Sequence, residues 1–337
     1  MQLPKSIPKE VEVSVSVTHP TIVLAAPSRA LLASDGSGVD VARINGARAN
    51  LEAMGWCVRC ADNLTAVDRG LAGSDAERAL ALTQAFADPT TDVVMALRGG
   101  CGASRLLELL DWETIAASEA VLVGLSDVTA LHLAFLARLG KPGWQGPVGH
   151  WFADPNSPSR TVFTETISQK ELCLRVPAQG ASFAAQGMLW GGNLTVLTSL
   201  LGTPWFPRIE GGILFLEDVN EPAWRIDRML TQLEQAGVLA RQTAVLTGIF
   251  TGSERYAAPG ALGYRLADAL GDLRSRSRLP VASGLHFGHV EDTLMLPVGV
   301  PARVCLEEGM LTLECPQVPV PAEVPGAQTP NGPLWWF

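Results

Sequence analysis

The stretch from Val121 to Ala137 constrains the fold more than any other part of the sequence. A short apolar run at its start is broken by Gly-Leu-Ser126-Asp127, and apolar residues then resume at helical spacing. This pattern predicts a strand, a sharp turn and a helix. Ser126 lies at the turn, where its hydroxyl would project away from a sheet and beside the free N–H groups of the helix. The stretch therefore has the pattern of a nucleophile elbow.

A simpler interpretation also fits this stretch. Serine and aspartate are both preferred at helix N-termini, so Ser126 or Asp127 could serve only to cap the helix. The stretch alone does not decide between a nucleophile and a cap.

The residues before this stretch alternate between strand and helix patterns. The sequence predicts a strand at 21–26, a helix at 39–54, a strand at 56–60, a helix at 75–87 and a strand at 92–97. Such alternation indicates a parallel sheet with right-handed crossovers. We therefore expect an α/β fold whose N-terminal domain, residues 1–145, is an open, mostly parallel sheet with flanking helices.

The second half of the sequence has a different pattern. Residues 139–180 are rich in proline and glycine, and we expect 146–180 to be a connecting segment with little regular structure. Buried strands are predicted at 212–216, 244–250 and 280–284, and helices at 225–237 and 262–275. Alternation from Thr293 to Cys315 favours antiparallel strands. The expected C-terminal domain, residues 181–337, is thus a mixed α/β domain with antiparallel strands.

Composition excludes several classes of protein. The 337 residues are 47% hydrophobic and 18% charged, which is typical of a globular chain of about two domains. The formal net charge of −9 makes nucleic acid and anionic membranes improbable partners. No apolar run reaches the roughly 18 residues that cross a bilayer. Residues 1–10 lack the apolar core of a secretory signal, so we expect a cytoplasmic protein.

A serine nucleophile needs a base and usually a carboxylate that orients the base. His289 follows the predicted strand at 280–284, and the carboxyl ends of such strands line the ligand crevice of open α/β sheets. His150 and His286 are alternatives. Glu217 comes directly after the predicted strand at 212–216 and is a candidate for the acid, although an acid before a helix is also common for electrostatic reasons.

An acyl-transfer site also needs N–H donors for the oxyanion. The glycine-rich run Arg98-Gly-Gly-Cys-Gly102 follows a predicted strand, and we propose the backbone N–H groups of Gly100 and Asp127 as the oxyanion pair. The sequence has no phosphate-binding loop motif and no dinucleotide-binding motif. It also has no paired metal-ligand spacing, so no cofactor and no metal are expected.

An ordered series of motifs resembles the L,D-carboxypeptidases, the muramoyltetrapeptide carboxypeptidase family of serine peptidases. The series comprises Ala26-Pro-Ser28, Leu71-Ala-Gly-Ser-Asp-Ala-Glu-Arg78, Arg98-Gly-Gly-Cys-Gly-Ala-Ser-Arg-Leu-Leu107, Gly124-Leu-Ser-Asp-Val-Thr-Ala-Leu-His132, Gly191-Gly-Asn-Leu194, Leu214-Phe-Leu-Glu-Asp-Val219, Arg225-Ile-Asp-Arg-Met-Leu230, Gly288-His289 and Leu296-Pro-Val-Gly299. One departure is Cys101, where the family usually has an aromatic residue.

The resemblance implies a Ser126, Glu217 and His289 triad, with oxyanion donors at Gly100 and Asp127. It implies a site between the two domains, no cofactor, and a homodimer that releases terminal D-alanine from cytoplasmic murein tetrapeptides. Two alternatives stay open. One is a related self-immunity peptidase that cleaves a peptidyl-nucleotide antibiotic, and the other is a non-catalytic muropeptide-binding protein. An α/β-hydrolase esterase is disfavoured because Ser126 does not lie in a G-x-S-x-G motif.

Overall fold

Two β-sheets with associated helices form the described part of the protein. The computed structural model describes residues 20–256, 263–321, 324–325 and 334–335. Residues 1–10, used above to predict localisation, lie outside these ranges. The strands are β1 (Thr21–Ala25), β2 (Cys57–Cys60), β3 (Val93–Ala96), β4 (Val121–Val123), β5 (Gly143–Gln145), β6 (Leu172–Pro177), β7 (Phe183–Asn193), β8 (Gly212–Val219), β9 (Gln242–Thr251), β10 (Val281–Gly288), β11 (Leu296–Val298), β12 (Val300–Glu307), β13 (Met310–Cys315) and β14 (Leu334–Trp335). The α-helices are α1 (Val41–Ala53), α2 (Asp75–Ala87), α3 (Trp112–Ala117), α4 (Thr129–Leu139), α5 (Ser159–Ile167), α6 (Leu194–Ser199), α7 (Ala223–Gln235) and α8 (Leu266–Ser277).

The first sheet has the strand order β11-β5-β4-β3-β1-β2. Its strands are parallel except for β11, which is antiparallel to β5. Helix α2 begins with a capping box in which Ser74 and Glu77 each accept a hydrogen bond from the other's backbone N–H. Helix α4 ends at Gly140, whose φ of 63° is the left-handed conformation typical of a helix C-terminus. The predicted parallel α/β layer is confirmed.

The second sheet has the order β10-β9-β8-β7-β12-β13-β6-β14. Strands β7 to β10 are parallel, whereas β7, β12, β13 and β6 are joined by antiparallel pairing. The predicted mixed α/β fold with antiparallel strands is therefore confirmed as well.

The two sheets share one continuous apolar core. Helix α4 lies between them, where it contacts β5 of the first sheet as well as α6 and β7 of the second half. Residues 129 to 136 of this helix are all buried, which explains its nearly all-apolar sequence. The rings of Trp112 and Trp205 stack across the two halves with their centroids 5.1 Å apart. The turn before α4 is thus held at the junction of both halves.

The chain crosses from one sheet to the other at Gly299. Val298 pairs with Gly143 in the first sheet, and Val300 pairs with Leu189 in the second. Gly299 has a φ of 85°, a conformation that favours glycine. Residues 296–298, which fall in the expected C-terminal domain, therefore belong to the N-terminal sheet.

The expectation of little regular structure in residues 146–180 is wrong. This segment contains a 3₁₀ turn at Gly149–Ala153, helix α5 and strand β6. The prolines and glycines punctuate short elements and do not prevent them, since Pro158 immediately precedes α5 at a position that needs no backbone N–H donor. Strand β6 pairs with β13, a partner far along the chain that local sequence does not reveal.

In the described residues, no helix combines the length and apolarity needed to span a membrane.

Candidate active site

Ser126 occupies a strained turn between β4 and α4. Its φ of 68° lies in the left-handed region, which non-glycine residues rarely adopt. The N-cap positions of the 3₁₀ turn and of α4 are Leu125 and Val128, so Ser126 caps neither of them. The capping interpretation therefore fails for Ser126, and the half-buried hydroxyl is left at the surface of the turn. A strained serine in a strand-to-helix turn is the geometry of a nucleophile elbow.

Asp127 connects this turn to two neighbouring loops. Its buried carboxylate accepts hydrogen bonds from Ser28 Oγ at 2.6 Å and from the Ala103 N–H at 2.8 Å. Burial raises the pKa of Asp127, while these hydrogen bonds and the charge of Arg78 oppose the rise. Because the carboxylate bonds to other loops, Asp127 does not cap α4 either. It fixes the glycine-rich run beside the turn.

The glycine-rich run passes directly over Ser126. A Cβ atom added to Gly99 would lie 2.7 Å from Ser126 Cβ, and one added to Gly100 would lie 2.5 Å from Arg29 Cγ. Gly100 has a φ of 133°, which also favours glycine. Glycine is thus required for this close approach of the backbone to the serine.

The two proposed oxyanion donors have no internal acceptor. Within the described ranges, the backbone N–H groups of Gly100 and Asp127 donate to no protein atom. Asp127 is buried, where backbone N–H groups are usually paired, whereas Gly100 is exposed and its N–H is open to solvent or to a ligand. Their role as an oxyanion hole stays a prediction.

Glu217 and His289 form a hydrogen-bonded pair in the second half. Glu217 lies near the end of β8, which continues to Val219, so the acid is inside the strand and not after it as the sequence predicted. His289 follows β10 directly. His289 Nδ1 lies 2.7 Å from Glu217 Oε2, and the Glu217 side chain is 0% exposed. The other ring nitrogen, Nε2, is left for a second partner.

The electrostatics of this pair suit a general base. Burial disfavours the charged imidazole of His289, but the charge and hydrogen bond of Glu217 outweigh burial and raise its pKa. A carboxylate that binds Nδ1 also orients the ring and stabilises the imidazolium that forms when Nε2 takes a proton.

A chain of hydrogen bonds links the serine turn to this pair. Thr129, three residues after Ser126, accepts a hydrogen bond from the Asn193 N–H at 3.0 Å. The Asn193 amide then donates to Glu217 Oε1 at 3.3 Å and to Asp218 Oδ1 at 2.9 Å. Burial, together with the charge of Glu217, raises the pKa of Asp218 to about 6. The turn that contains Ser126 also packs against β7, which ends at Asn193.

The structure thus brings the serine turn and the Glu217–His289 pair to one junction. In the part of the chain that the structure describes, no hydrogen bond joins Ser126 Oγ to His289 itself. Sequence reasoning did not assign a role to Thr129 or Asn193. The motif Gly191-Gly-Asn-Leu194 was noted in the sequence, and the structure gives its reason: a Cβ on Gly192 would lie 2.6 Å from Thr129 Oγ1, so glycine lets β7 approach the serine turn.

The two alternative histidines, His286 and His150, have other partners. His286 is half-exposed and its Nε2 lies 2.7 Å from Asp292 Oδ1. His150 Nδ1 lies 3.0 Å from the Leu97 carbonyl oxygen, and burial lowers the pKa of His150 to about 4. Neither histidine pairs with a buried carboxylate as His289 does. Among the described residues, no group of three or more His, Cys, Asp or Glu side chains could hold a metal ion.

Comparison with known proteins shows which family the chain resembles. The LD-carboxypeptidase N-terminal domain matches residues 22–146, and the LD-carboxypeptidase C-terminal domain matches residues 186–304. A Streptomyces coelicolor protein with a provisional carboxypeptidase name is 42% identical over 73% of this chain and 79% of its own length.

The chain is also similar to a protein of known structure and to a second, more distant relative. The crystal structure of muramoyltetrapeptide carboxypeptidase from Oxalobacter formigenes superposes with a TM-score of 0.78 at 32% identity, covering 89% of this chain and 100% of that one. The microcin C7 self-immunity protein MccF of Escherichia coli is 26% identical over 68% of this chain and 75% of its own length. The two domain matches and the extent of these similarities place the chain, as a serine carboxypeptidase, in the LD-carboxypeptidase family.

Proposed function

We propose that this protein is a cytoplasmic L,D-carboxypeptidase that releases terminal D-alanine from murein tetrapeptides during peptidoglycan recycling. The observation that carries the proposal is the buried Glu217–His289 hydrogen bond at 2.7 Å, located across the domain junction from the strained Ser126 turn. The similarity to a muramoyltetrapeptide carboxypeptidase supports this substrate.

In the proposed mechanism, His289 Nε2 takes the proton of Ser126 as its Oγ attacks the carbonyl carbon that precedes D-alanine. The N–H groups of Gly100 and Asp127 stabilise the negative charge on the carbonyl oxygen. Protonated His289 then gives its proton to the leaving nitrogen, so that D-alanine departs and an acyl-enzyme remains. Water, activated by His289, hydrolyses the ester and restores Ser126. Glu217 orients His289 and stabilises its charged form throughout.

We further propose that the protein acts as a homodimer and needs no cofactor. Light scattering of the purified protein tests the first point, with twice the mass of one chain expected. Chelation tests the second, and turnover should not change.

Two rival functions are tested by the same assay. The similarity to a microcin self-immunity protein supports a peptidase that cleaves a peptidyl-nucleotide amide. The third possibility is a muropeptide-binding protein without turnover. We favour the murein substrate because the match to the muramoyltetrapeptide carboxypeptidase has the higher identity, 32% against 26%.

The decisive experiment is mass spectrometry of a purified murein tetrapeptide incubated with the protein. We expect loss of one alanine from the D-alanine-terminated peptide and no loss from its L-alanine-terminated counterpart. A peptidyl-nucleotide substrate is assayed in parallel. Cleavage of the nucleotide alone would support the self-immunity function, and binding without cleavage of either would support the binding protein.

A further inference from the structure

Three arginines lie at the glycine-rich run: Arg98 is its first residue, the stem of Arg29 lies against Gly100, and Arg43 is close enough for its charge to act on Arg98. Arg29 follows β1, Arg98 follows β3, and Arg43 lies in the first turn of α1. Strands β1 and β3 are adjacent and parallel, so their carboxyl ends carry Arg29 and Arg98 to the same edge of the sheet.

These arginines have no acidic partners among the described residues. By contrast, Arg48, Arg59 and Arg105 each pair with a carboxylate. An unpaired cluster of cations is unexpected in a chain with a net charge of −9, because nearby acids usually neutralise such groups. The cluster therefore presents positive charge that the protein itself does not compensate.

The arginines also act on one another. Partial burial lowers the pKa of Arg98, and the charges of Arg29 and Arg43 lower it further. His150, on which the charges of Arg43 and Arg98 also act, is neutral near pH 7 because burial, with those charges, lowers its pKa to about 4. A bound anion would relieve the repulsion among the three arginines.

The guanidinium groups of Arg29 and Arg98 are held in different ways. Its aliphatic stem packs against Gly100, and its guanidinium makes no hydrogen bond within the described ranges. Arg98 is partly anchored, since its Nη1 donates to the Ala30 carbonyl and its Nε to the Gly99 carbonyl, both at 3.2 Å. Its Nη2 group is not used by either bond, so both residues keep donors for an anion.

The position of the cluster relative to Ser126 identifies the anion. Gly99 contacts the Ser126 side chain, and Arg29 contacts the next residue, Gly100. In a carboxypeptidase substrate, the terminal carboxylate is separated from the scissile nitrogen by only one carbon atom. The stem of Arg29 lies against Gly100, and the exposed guanidinium is at the end of a long, flexible side chain. It can therefore reach that carboxylate and hold it with charge-assisted hydrogen bonds.

We propose that Arg29 and Arg98 bind the C-terminal carboxylate of the peptide substrate and so restrict the enzyme to removing a terminal residue. This inference rests on the proposed function. It assigns a substrate-binding role to two side chains outside the proposed triad.

The test compares a tetrapeptide that ends in D-alanine with the same peptide ending in D-alanine amide. For the wild-type protein we expect kcat/KM to be at least about 100-fold higher for the free carboxylate. Arg29→Gln should lower kcat/KM for the carboxylate about 10- to 100-fold, mainly through KM, with little change for the amide. Arg98→Gln should act in the same direction.

The matched control is Arg59→Gln. Arg59 is an exposed arginine on β2 that pairs with Asp88 and lies away from the glycine-rich run, so its loss should leave the preference unchanged. Arg98 also donates hydrogen bonds to backbone carbonyls, so its loss could destabilise the fold, and thermal unfolding of each variant is compared with that of the wild type. Arg29 is exposed and makes no such bonds among the described residues, so the result for Arg29→Gln decides the test. An Arg29→Gln protein that keeps the wild-type ratio of carboxylate to amide would overturn the inference.

Failure of the proposed function is distinguished by a binding measurement. In a Ser126→Ala background, calorimetry compares the two peptides without turnover. Tighter binding of the carboxylate that disappears on Arg29→Gln supports the carboxylate site even if the wild type does not release D-alanine. Equal binding of both peptides overturns the site, and it does so independently of whether D-alanine is released.

Discussion

The two halves of the molecule prepare the candidate site in different ways. The N-terminal sheet contributes a strained serine and free backbone donors, all placed by short turns: Ser126 has a φ of 68°, and Gly100 has a φ of 133°. The C-terminal sheet contributes a relaxed pair of side chains, Glu217 and His289, placed by long strands and already hydrogen-bonded at 2.7 Å. The N-terminal half thus holds the backbone of Ser126 in a strained conformation, and the C-terminal half holds the carboxylate of Glu217 away from solvent.

The two halves are also stabilised in different ways. The strained turn persists because Asp127 bonds to two other loops and because α4 is buried between the sheets. The buried Glu217 persists because Asn193 and His289 both donate to it. Chemistry that needs both halves should therefore be lost by changes in either one, but with different signatures.

The largest effect is expected from removing the nucleophile in the strained half. Ser126→Ala should lower kcat by on the order of 10⁴ or more, since only binding and oxyanion stabilisation would remain. The fold should be retained, because Ser126 is not the N-cap residue of the turn or of α4. Release of D-alanine and thermal unfolding are the two measurements. Turnover within about tenfold of the wild type would exclude Ser126 as nucleophile.

The corresponding change in the relaxed half is Glu217→Gln. We expect kcat to fall by about 10³- to 10⁴-fold, because His289 loses its orienting charge. The pH profile gives a second signature. His289 must be neutral to accept a proton, so kcat/KM falls as the pH drops through its pKa, and the charge of Glu217 raises that pKa. Loss of this charge should lower the pKa of His289 and so move the acidic limb of the kcat/KM profile to lower pH. An acidic limb that does not move would argue that Glu217 does not act on the catalytic base.

The glycine-rich run is tested by Gly100→Ala, with Gly38→Ala as its matched control. The two glycines have nearly the same φ, 133° and 129°, so each substitution should cost a similar backbone strain of about 1–3 kcal/mol. Only the Cβ at residue 100 meets a neighbour, Arg29 Cγ, whereas nothing lies within 4 Å at residue 38. Gly100→Ala should lower kcat by about 10²- to 10³-fold through displaced oxyanion donors, and Gly38→Ala should not. Equal activities would contradict this role.

The smallest effect is expected at His286, which lies only three residues from His289. Its pair with Asp292 is half-exposed, so His286→Gln should change the free energy of unfolding by less than about 1 kcal/mol. Turnover should stay within about twofold of the wild type. The measurement is the steady-state kcat of His286→Gln compared with that of His289→Gln. A large loss of kcat in His286→Gln would argue that His286, and not His289, is the general base.

Local signals explain why the sequence predicts one half better than the other. The predicted helix at 75–87 coincides with α2, whose capping box is readable from Ser74 and Glu77. The predicted strand at 121–123 coincides with β4. The turn chemistry around Ser126 is likewise local, so the nucleophile elbow could be recognised from its residues alone.

Nonlocal pairing explains what the sequence did not predict. Residues 183–190 are not predicted as a strand because Ala184, Ala185 and Gly187 are poor strand formers. Strand β7 is instead fixed by its pairing with β8 and β12. Strand β10 continues to Gly288, beyond the predicted end at 284. The bonds from Asn193 to Thr129 and Glu217 join residues that are 64 and 24 positions apart, and no periodicity encodes such contacts.

The central claim is that the two halves meet around one reacting carbonyl. The most direct measurement is a crystal structure of the protein with a fluorophosphonate covalently bound to Ser126. We expect His289 Nε2 about 3 Å from Ser126 Oγ, with the adduct oxygen bound by the N–H groups of Gly100 and Asp127. An adduct with the His289 ring far from Ser126, or with its oxygen directed away from these donors, would contradict the account.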